Sequence, residues 1–329
     1  MAASTFDVCC IGNAIVDVIT EADEEFLIQH ELLKGGMTLI DAERASALTD
    51  AMRLTRQRSG GSAANTAAGI AAMGGGAAFI GKVRDDDLGE AFATDIKDVG
   101  VEFSTPAATD GPATARCLIF VTPDADRTMQ TYLGACVDLA PDDIDHGIVS
   151  NAAVTYLEGY LFDPPQAKAA FVRAAEIAHA NGRKTALSLS DPFCVERHRE
   201  SFAHLVENHI DILFANEFEV QALYQLDRFD DALQVVRGKC AIAALTRGDK
   251  GAVIATEDTV HVVDPAPTPK VVDTTGAGDL FASGFLYAYT LGRSPATAAR
   301  LGAAAASEAI SHFGARPETD LRGIVNAQL

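Results

Sequence analysis

The chain of 329 residues carries 26 Lys plus Arg against 46 Asp plus Glu, a formal charge of −20, with 48% hydrophobic residues and 27 glycines. That balance excludes a nucleic-acid partner, which needs a clustered basic face to displace counterions, and it excludes a disordered chain, whose apolar content would be lower. The length slightly exceeds the roughly 250–300 residues at which one core stops growing, which favours one large domain with a small appendage over two equal ones.

Residues 1–12 hold Asp7 and lack the basic-then-apolar pattern of a secretory signal, so a cytoplasmic protein is expected. Residues 60–81 are uncharged and long enough to cross a bilayer, but their Gly, Ala, Ser and Asn are too weakly hydrophobic to insert, so no membrane contact is expected. Cys9, Cys10, Cys117, Cys136, Cys194 and Cys240 show no C-x-x-C spacing and read as reduced, mostly buried thiols.

The first apolar run, residues 8–11, reads as a strand covered on both faces, with Cys9 and Cys10 pointing to opposite sides. Beyond it, Ile11-Gly12-Asn13-Ala14-Ile15-Val16-Asp17 places Asn13 and Asp17 at a strand's carboxyl edge. Asp17 there can accept hydrogen bonds from two neighbouring hydroxyls, although the same string also serves as a polar turn. The alternation of strand and helix breaks over residues 16–59 and again over 105–133. In the second segment, 115–121 and 128–132 alternate and are joined by Thr122-Pro123-Asp124-Ala125-Asp126 as a hairpin turn. These strands are expected to pair apart from the main sheet as a small β-rich lid. Arg127 in that lid is a candidate to meet a transferred phosphoryl group, or an ordinary solvated arginine.

Ser59-Gly60-Gly61-Ser62-Ala63-Ala64-Asn65-Thr66-Ala67 is a turn entering a helix of small residues. Gly60 and Gly61 let a ligand approach the backbone, and Asn65 offers donor and acceptor; a tightly packed core turn uses the same residues. Residues 78–80 give the next strand, and Asp85-Asp86-Asp87 reads as a solvated loop. Further strands follow at 154–157, 185–189, 212–215 and 241–245, and the helix between the first two opens at Pro165 and ends at Asn181-Gly182. Asn216 and Glu219 follow the third of these strands at a helix start. Thr246-Arg247-Gly248-Asp249-Lys250-Gly251 follows the fourth as a turn between two strands.

In Val271-Val272-Asp273-Thr274-Thr275-Gly276-Ala277-Gly278-Asp279-Leu280-Phe281-Ala282-Ser283-Gly284, a strand end meets a tight turn and then a helix. Phe281, Phe285 and Ala288 recur at i, i+4 and i+7, as one buried helical face requires. Small residues leave the helix's first N–H groups unshielded at the positive end of its dipole, which makes the turn an anion site. A carboxylate beside such a site repels the ligand unless it takes a proton from an attacking hydroxyl. The turn with Asp279 therefore reads as phosphoryl transfer from a nucleotide to an alcohol. An acid in a first turn also complements the dipole without any chemistry. Ser294-Pro295 opens a last Ala-rich helix, expected to close at Gly314. The whole pattern predicts an α/β fold with a doubly wound, mainly parallel sheet and ligands at the carboxyl ends of its strands.

The stretch 271–284 resembles the C-terminal signature of the PfkB/ribokinase family of small-molecule kinases, and the stretch 59–67 resembles the N-terminal signature of the same family. The resemblance covers nearly the whole chain and implies one ribokinase-like domain over residues 1–329, with the lid at about 16–59 and 105–133. It implies that Gly276, Ala277 and Gly278 form the anion hole and that Asp279 is the catalytic base. It implies that Gly60, Gly61 and Asn65 bind the phosphoryl acceptor. Asn216 and Glu219 match an Asn-x-x-Glu motif that orders Mg2+ and phosphates through water, as suits a metal that keeps its waters. Thr246, Gly248 and Gly251 match a turn lying against ATP, and Asp273 matches a position that helps bind a monovalent cation such as K+. Asp86 matches a position near the substrate-side turn, but Arg84 stands where the pattern often has Gly.

Within the family the adenosine-kinase branch looks closest, from the long first lid segment, residues 25–39, and from Glu158-Gly159-Tyr160-Leu161-Phe162. Tyr160, Leu161 and Phe162 either wall a purine or belong to the core. The resemblance thus implies an ATP-dependent kinase of a nucleoside, foremost adenosine, acting as a monomer or homodimer on small molecules. A kinase of a free sugar or sugar acid, and a non-catalytic nucleotide sensor, are the alternatives. A dinucleotide dehydrogenase is disfavoured because its glycine fingerprint does not follow the first strand.

Overall fold

Apolar runs covered on both faces set the architecture of the computed structural model, which describes residues 5–53, 55–124, 126–162, 164–268 and 270–329. The first four residues, Leu54 in the first lid segment and Ala125 in the hairpin turn lie outside the described residues. In chain order the strands are β1 (Phe6–Ile11), β2 (Ile15–Glu21), β3 (Met37–Leu39), β4 (Arg56–Gly60), β5 (Ala77–Ile80), β6 (Val101–Phe103) and β7 (Ala115–Val121). They continue as β8 (Arg127–Tyr132), β9 (Ala152–Glu158), β10 (Lys184–Ser188), β11 (Ile212–Asn216), β12 (Ile242–Thr246), β13 (Ala252–Ala255) and β14 (Val260–Val263).

The main sheet has the order β14-β13-β12-β11-β10-β9-β1-β5-β6. It is parallel from β6 to β12 and antiparallel only where β13 and β14 join its edge. From β1 the chain builds outward to β5 and β6, then returns to place β9 on the other side of β1. The strand order therefore reverses between β1 and β9, and ligands of doubly wound sheets bind at the carboxyl ends of the strands at such a point.

Both sheet faces are dry. Cys10, Phe79, Tyr156 and Phe214 pack on one side with Phe285, while Cys9, Ile11, Leu157 and Leu213 pack on the other with Phe171 and Phe202. The adjacent cysteines thus point to opposite faces, as a strand demands, and all six cysteines are free. No helix among the described residues is long and apolar enough to cross a membrane.

The two segments that break the rhythm supply a second sheet of order β3-β8-β7-β2-β4. Here β7 and β8 form the expected antiparallel hairpin. Asp17 sits within β2 and not in a turn beyond β1: it lies opposite Arg58 of β4 and beside Cys117 of β7. Alternation along β2 buries Val16 and Val18 and turns Ile15, Asp17 and Ile19 toward the cleft.

Two helix boundaries correct the sequence reading. The acidic run is no solvated loop: Asp86 caps the helix Asp87–Asp98, accepting from the Gly89 N–H, and it also accepts from Thr114. The last Ala-rich helix, Pro295–Ala309, opens on Ser294 as expected but ends well before Gly314. The Ile310 carbonyl accepts from Val272 N–H at 2.8 Å, which draws the chain out of the helix and against the segment leading to the anion turn.

Candidate active site

A cleft of about 1270 Å³ lies between the second sheet and the carboxyl ends of β9 to β12. On its main-sheet side the helix Ala277–Thr290 begins at Gly276, whose φ of +79° is open to glycine at no cost. Gly276, Ala277 and Gly278 line the cleft, and a side chain at Gly278 would point into empty space. The Ala277 N–H turns back to the Thr274 carbonyl at 3.2 Å.

Asp279 follows in the first helical turn. Its Oδ1 accepts from the Ser62 hydroxyl at 2.6 Å and its Oδ2 from Asn65 Nδ2 at 3.0 Å. Ser62 and Asn65 stand three residues apart on the helix Ser62–Ala72 and so share one face. Burial pushes the Asp279 carboxyl above the usual range, against the pull of these two hydrogen bonds and the charge of Arg316. A carboxylate whose proton affinity is raised in this way, with a lone pair left on each oxygen, is suited to take a proton from a hydroxyl.

The Ser62 helix is held in place from beneath by Glu158 at the end of β9. The fully buried Glu158 carboxylate accepts from the Ala63 N–H at 2.7 Å and from Asn13 Nδ2 at 2.8 Å, so it ties β9 both to the Ser62 helix and to the segment after β1, where the strand order reverses. Asn13 is buried and does not line the cleft. A methyl on Gly12 would come within 2.3 Å of Glu158, which explains the glycine.

Burial pushes the Glu158 carboxyl up to about 7 from 4.5, opposed by the Ala63 and Asn13 donors. A carboxyl raised in this way stabilises the fold fully only below its unfolded value, and that contribution is lost as pH rises through about 7. Glu158→Gln is neutral at every pH, and Asn13 Oδ1, which has no partner among the described residues, can accept from the new amide after a flip. The variant is expected to flatten the decline in stability between pH 4.5 and 7 by on the order of 3 kcal/mol. Urea unfolding at both ends of that window checks it. Parallel declines in the two proteins would remove Glu158 as the source.

From the second sheet, Asp17, Arg58 and Arg127 face the cleft, joined by Arg53, Arg56 and, from the C-terminal side, Arg316. Burial raises Asp17 to about 6, against the pull of Arg127, Arg316 and Arg58. Gly60 lines no part of the cleft; the Asp17 carboxyl packs over it, 2.6 Å from where a methyl would stand. Gly61 lines the cleft with φ +95° and starts the Ser62 helix.

Arg127 Nη1 donates to Asp273 Oδ2 at 2.7 Å and so ties the second sheet to the segment before the anion turn. Asp273 also accepts from the N–H groups of Thr275 and Gly314, each at 2.9 Å. Burial pushes its carboxyl up, but these donors outweigh it and hold it below the usual range. A monovalent cation at Asp273 would meet the Arg127 guanidinium, so the residues around this carboxylate do not fit K+.

At the far end of the cleft, Asn216 caps the helix Glu217–Tyr224 and locks Glu219. Its N–H and Nδ2 donate to the two carboxylate oxygens at 2.8 and 2.7 Å. Asn216, Glu219 and Thr246 line the cleft, whereas Gly248 and Gly251 shape the β12–β13 turn outside it. Burial raises Glu219 to about 7. Tyr160 lines the cleft at 44% exposure, but Leu161 and Phe162 are core, so only the tyrosine can wall a ligand.

The sequence reading passed over Ser62, Ser59 and Arg316. Ser62 was legible from its spacing to Asn65. Arg316 stands alone after the last Ala-rich helix, and only the tertiary path brings it to the cleft.

A glycine turn at a helix start set beside a buried carboxylate, with a second sheet across the cleft, suits a phosphotransferase that uses an alcohol as acceptor. The model of the pfkB family of carbohydrate kinases matches residues 6–321, and the chain belongs to that family as a sugar or nucleoside kinase. A probable sugar kinase from Rhizobium etli CFN 42 is 48% identical, covers 98% of each chain and superposes with a TM-score of 0.90. The adenosine kinase from Sinorhizobium meliloti is also 48% identical, over 98% of this chain and 99% of that one, with a TM-score of 0.89. The adenosine kinase of Saccharomyces cerevisiae is 27% identical over 92% of this chain and 94% of its own length.

Proposed function

We propose that this chain is an ATP-dependent nucleoside kinase, with adenosine as its foremost acceptor. The observation that carries this reading is the cleft face of the second sheet. Ile15, Ile19, Cys117, Ile119, Val121 and Met129 line it, with Asp17 set among them and Arg58 and Arg127 on the flanking strands β4 and β8. An apolar wall suits the flat faces of a purine, and a carboxylate within it suits the vicinal hydroxyls of a ribose. A free sugar presents hydroxyls on all sides and would leave that wall wasted.

Asp17 holds the ribose hydroxyls, and the second sheet acts as the lid that excludes water. Asp279 accepts the proton of the primary hydroxyl as its oxygen attacks the γ-phosphorus and the bond to the departing ADP breaks. The N-terminus of the Ala277–Thr290 helix stabilises charge on the phosphoryl oxygens. Asn216 and Glu219 are the residues to hold Mg2+ through water, since one buried carboxylate facing the cleft fits a metal that keeps most of its hydration. Such an ion neutralises phosphate charge when bound.

Adenosine is expected to exceed ribose and fructose in kcat/KM, and 2′-deoxyadenosine to lose roughly 1–3 kcal/mol relative to adenosine by leaving Asp17 unpaired. A coupled assay of ADP release over this panel checks both. Preference for a free sugar would select the sugar-kinase reading, which the likeness to a probable sugar kinase favours. ATP binding without turnover on any acceptor would select the sensor.

A further inference from the structure

The two hydrogen-bond partners of Asp279 differ in what they can do. Ser62 donates its hydroxyl proton to Oδ1 at 2.6 Å, and Asn65 Nδ2 donates to Oδ2 at 3.0 Å. A hydroxyl has one donor and two lone pairs and rotates freely, so it accepts as readily as it donates. An amide nitrogen only donates. The Asn65 amide cannot turn over either, because its Oδ1 accepts from Arg316 Nε at 3.0 Å and a guanidinium has no acceptor to offer in exchange.

This difference separates the two carboxylate oxygens once a proton arrives. A proton on Oδ2 would set an O–H group beside the fixed N–H of Asn65 and weaken a charge-assisted bond that nothing replaces. A proton on Oδ1 meets a partner that can reverse. Oδ1–H then donates to Ser62 Oγ, and the Ser62 proton turns into the cleft, which that residue lines. Oδ2 becomes the carbonyl oxygen and keeps Asn65 as its donor.

We propose that Ser62 is a positioning residue for the base: it directs the acceptor's proton to Oδ1 of Asp279 and turns from donor to acceptor as that proton arrives. The inference rests on reading Asp279 as the base of the proposed kinase and names the atom at which it works. In the step, the acceptor's O–H bond breaks and its proton passes to Oδ1. The oxygen's electron pair forms the bond to the γ-phosphorus, and the bond from phosphorus to the ADP oxygen breaks with its electrons leaving on ADP.

The groups that face Asp279 are Arg316 from the C-terminal side, Asp17 from β2, Cys10 from β1, Tyr156 and Glu158 from β9, and Tyr160 just beyond β9. The Ser62 hydroxyl bonds to none of them, so its removal reports on Asp279. Its bond to the ionised carboxylate is the charge-assisted one, and losing that bond makes Asp279 easier to protonate.

In Ser62→Ala, the acid limb of kcat with both substrates saturating is expected to move up by roughly one pH unit. On the plateau above it, kcat is expected to fall roughly 3- to 30-fold, with the KM for ATP changed less than about twofold. Alanine is the better helix former in the helix Ser62–Ala72, so the variant should fold. Ser62→Thr keeps a hydroxyl and is expected to return the limb to its wild-type position. A lower plateau with an unmoved limb would leave Ser62 a packing role only and overturn the proposal, as would an alanine variant with the parent's whole profile. A limb that moves equally in both variants also overturns it, since the hydroxyl is then not what sets it. A wild-type chain that phosphorylates neither nucleosides nor sugars overturns the functional reading, and this inference with it.

Discussion

Asp279→Asn is expected to lower kcat by roughly 10²–10⁴, which is about 3–5 kcal/mol of barrier, while the KM for ATP stays nearly constant. The amide is isosteric but has no basic oxygen to take the proton. Its oxygen can still accept from Asn65 Nδ2, which Arg316 keeps from flipping. Its NH2 then meets Ser62, a hydroxyl that accepts as readily as it donates. The surroundings therefore tolerate the change, and the loss is confined to chemistry. Steady-state kinetics with either substrate varied is the measurement, and unchanged turnover would remove Asp279 from the role of base.

Gly61→Ala is expected to destabilise the fold by roughly 3–5 kcal/mol and to cut kcat/KM for the acceptor at least tenfold. The backbone there holds φ +95° and ψ 143°, a region nearly reserved for glycine. The added methyl would lie 2.2 Å from the Asn13 carbonyl oxygen, and neither side is the flexible end of a side chain. Relief requires moving the start of the Ser62 helix, which carries Ser62, Asn65 and the Ala63 N–H bound by Glu158. Gly323→Ala, whose methyl meets nothing within 4 Å inside the helix Leu321–Gln328, is the control and should melt at or slightly above the parent. Thermal melts with acceptor kinetics test the pair, and a Gly61→Ala protein as stable as the control would sink the argument.

The main sheet was legible because strands buried on both faces read as unbroken apolar runs, and β1, β5, β9, β10, β11 and β12 lie within two residues of the runs that predict them. The turn before the Ala277–Thr290 helix was legible because glycine and a helix start leave a local signature. Asp17 was harder to place. Ile15-Val16-Asp17-Val18-Ile19 is apolar toward both the core and the cleft, which hides the two-residue period that marks a strand. Gly314 invited the reading of a helix stop, but its positive φ serves a turn that points its N–H at Asp273. The hold of Glu158 on Ala63 and the reach of Arg316 join residues 95 and 251 positions or more from their partners, and no local spacing encodes such pairings.

The arginines around the cleft roughly offset the carboxylates that share it, so the excess negative charge of this −20 chain lies on its outer surface. A neutral nucleoside crosses that outer field unopposed. ATP does so more easily with magnesium, which lowers its charge. On the proposed reaction the product is an anion formed inside a nearly neutral throat, and once it has left by about one Debye length, ~8 Å at physiological salt, the shell discourages its return. The outer charge thus slows the return of an anionic product, so weak rebinding of phosphorylated nucleosides would be a property of the whole exterior and not of the pocket.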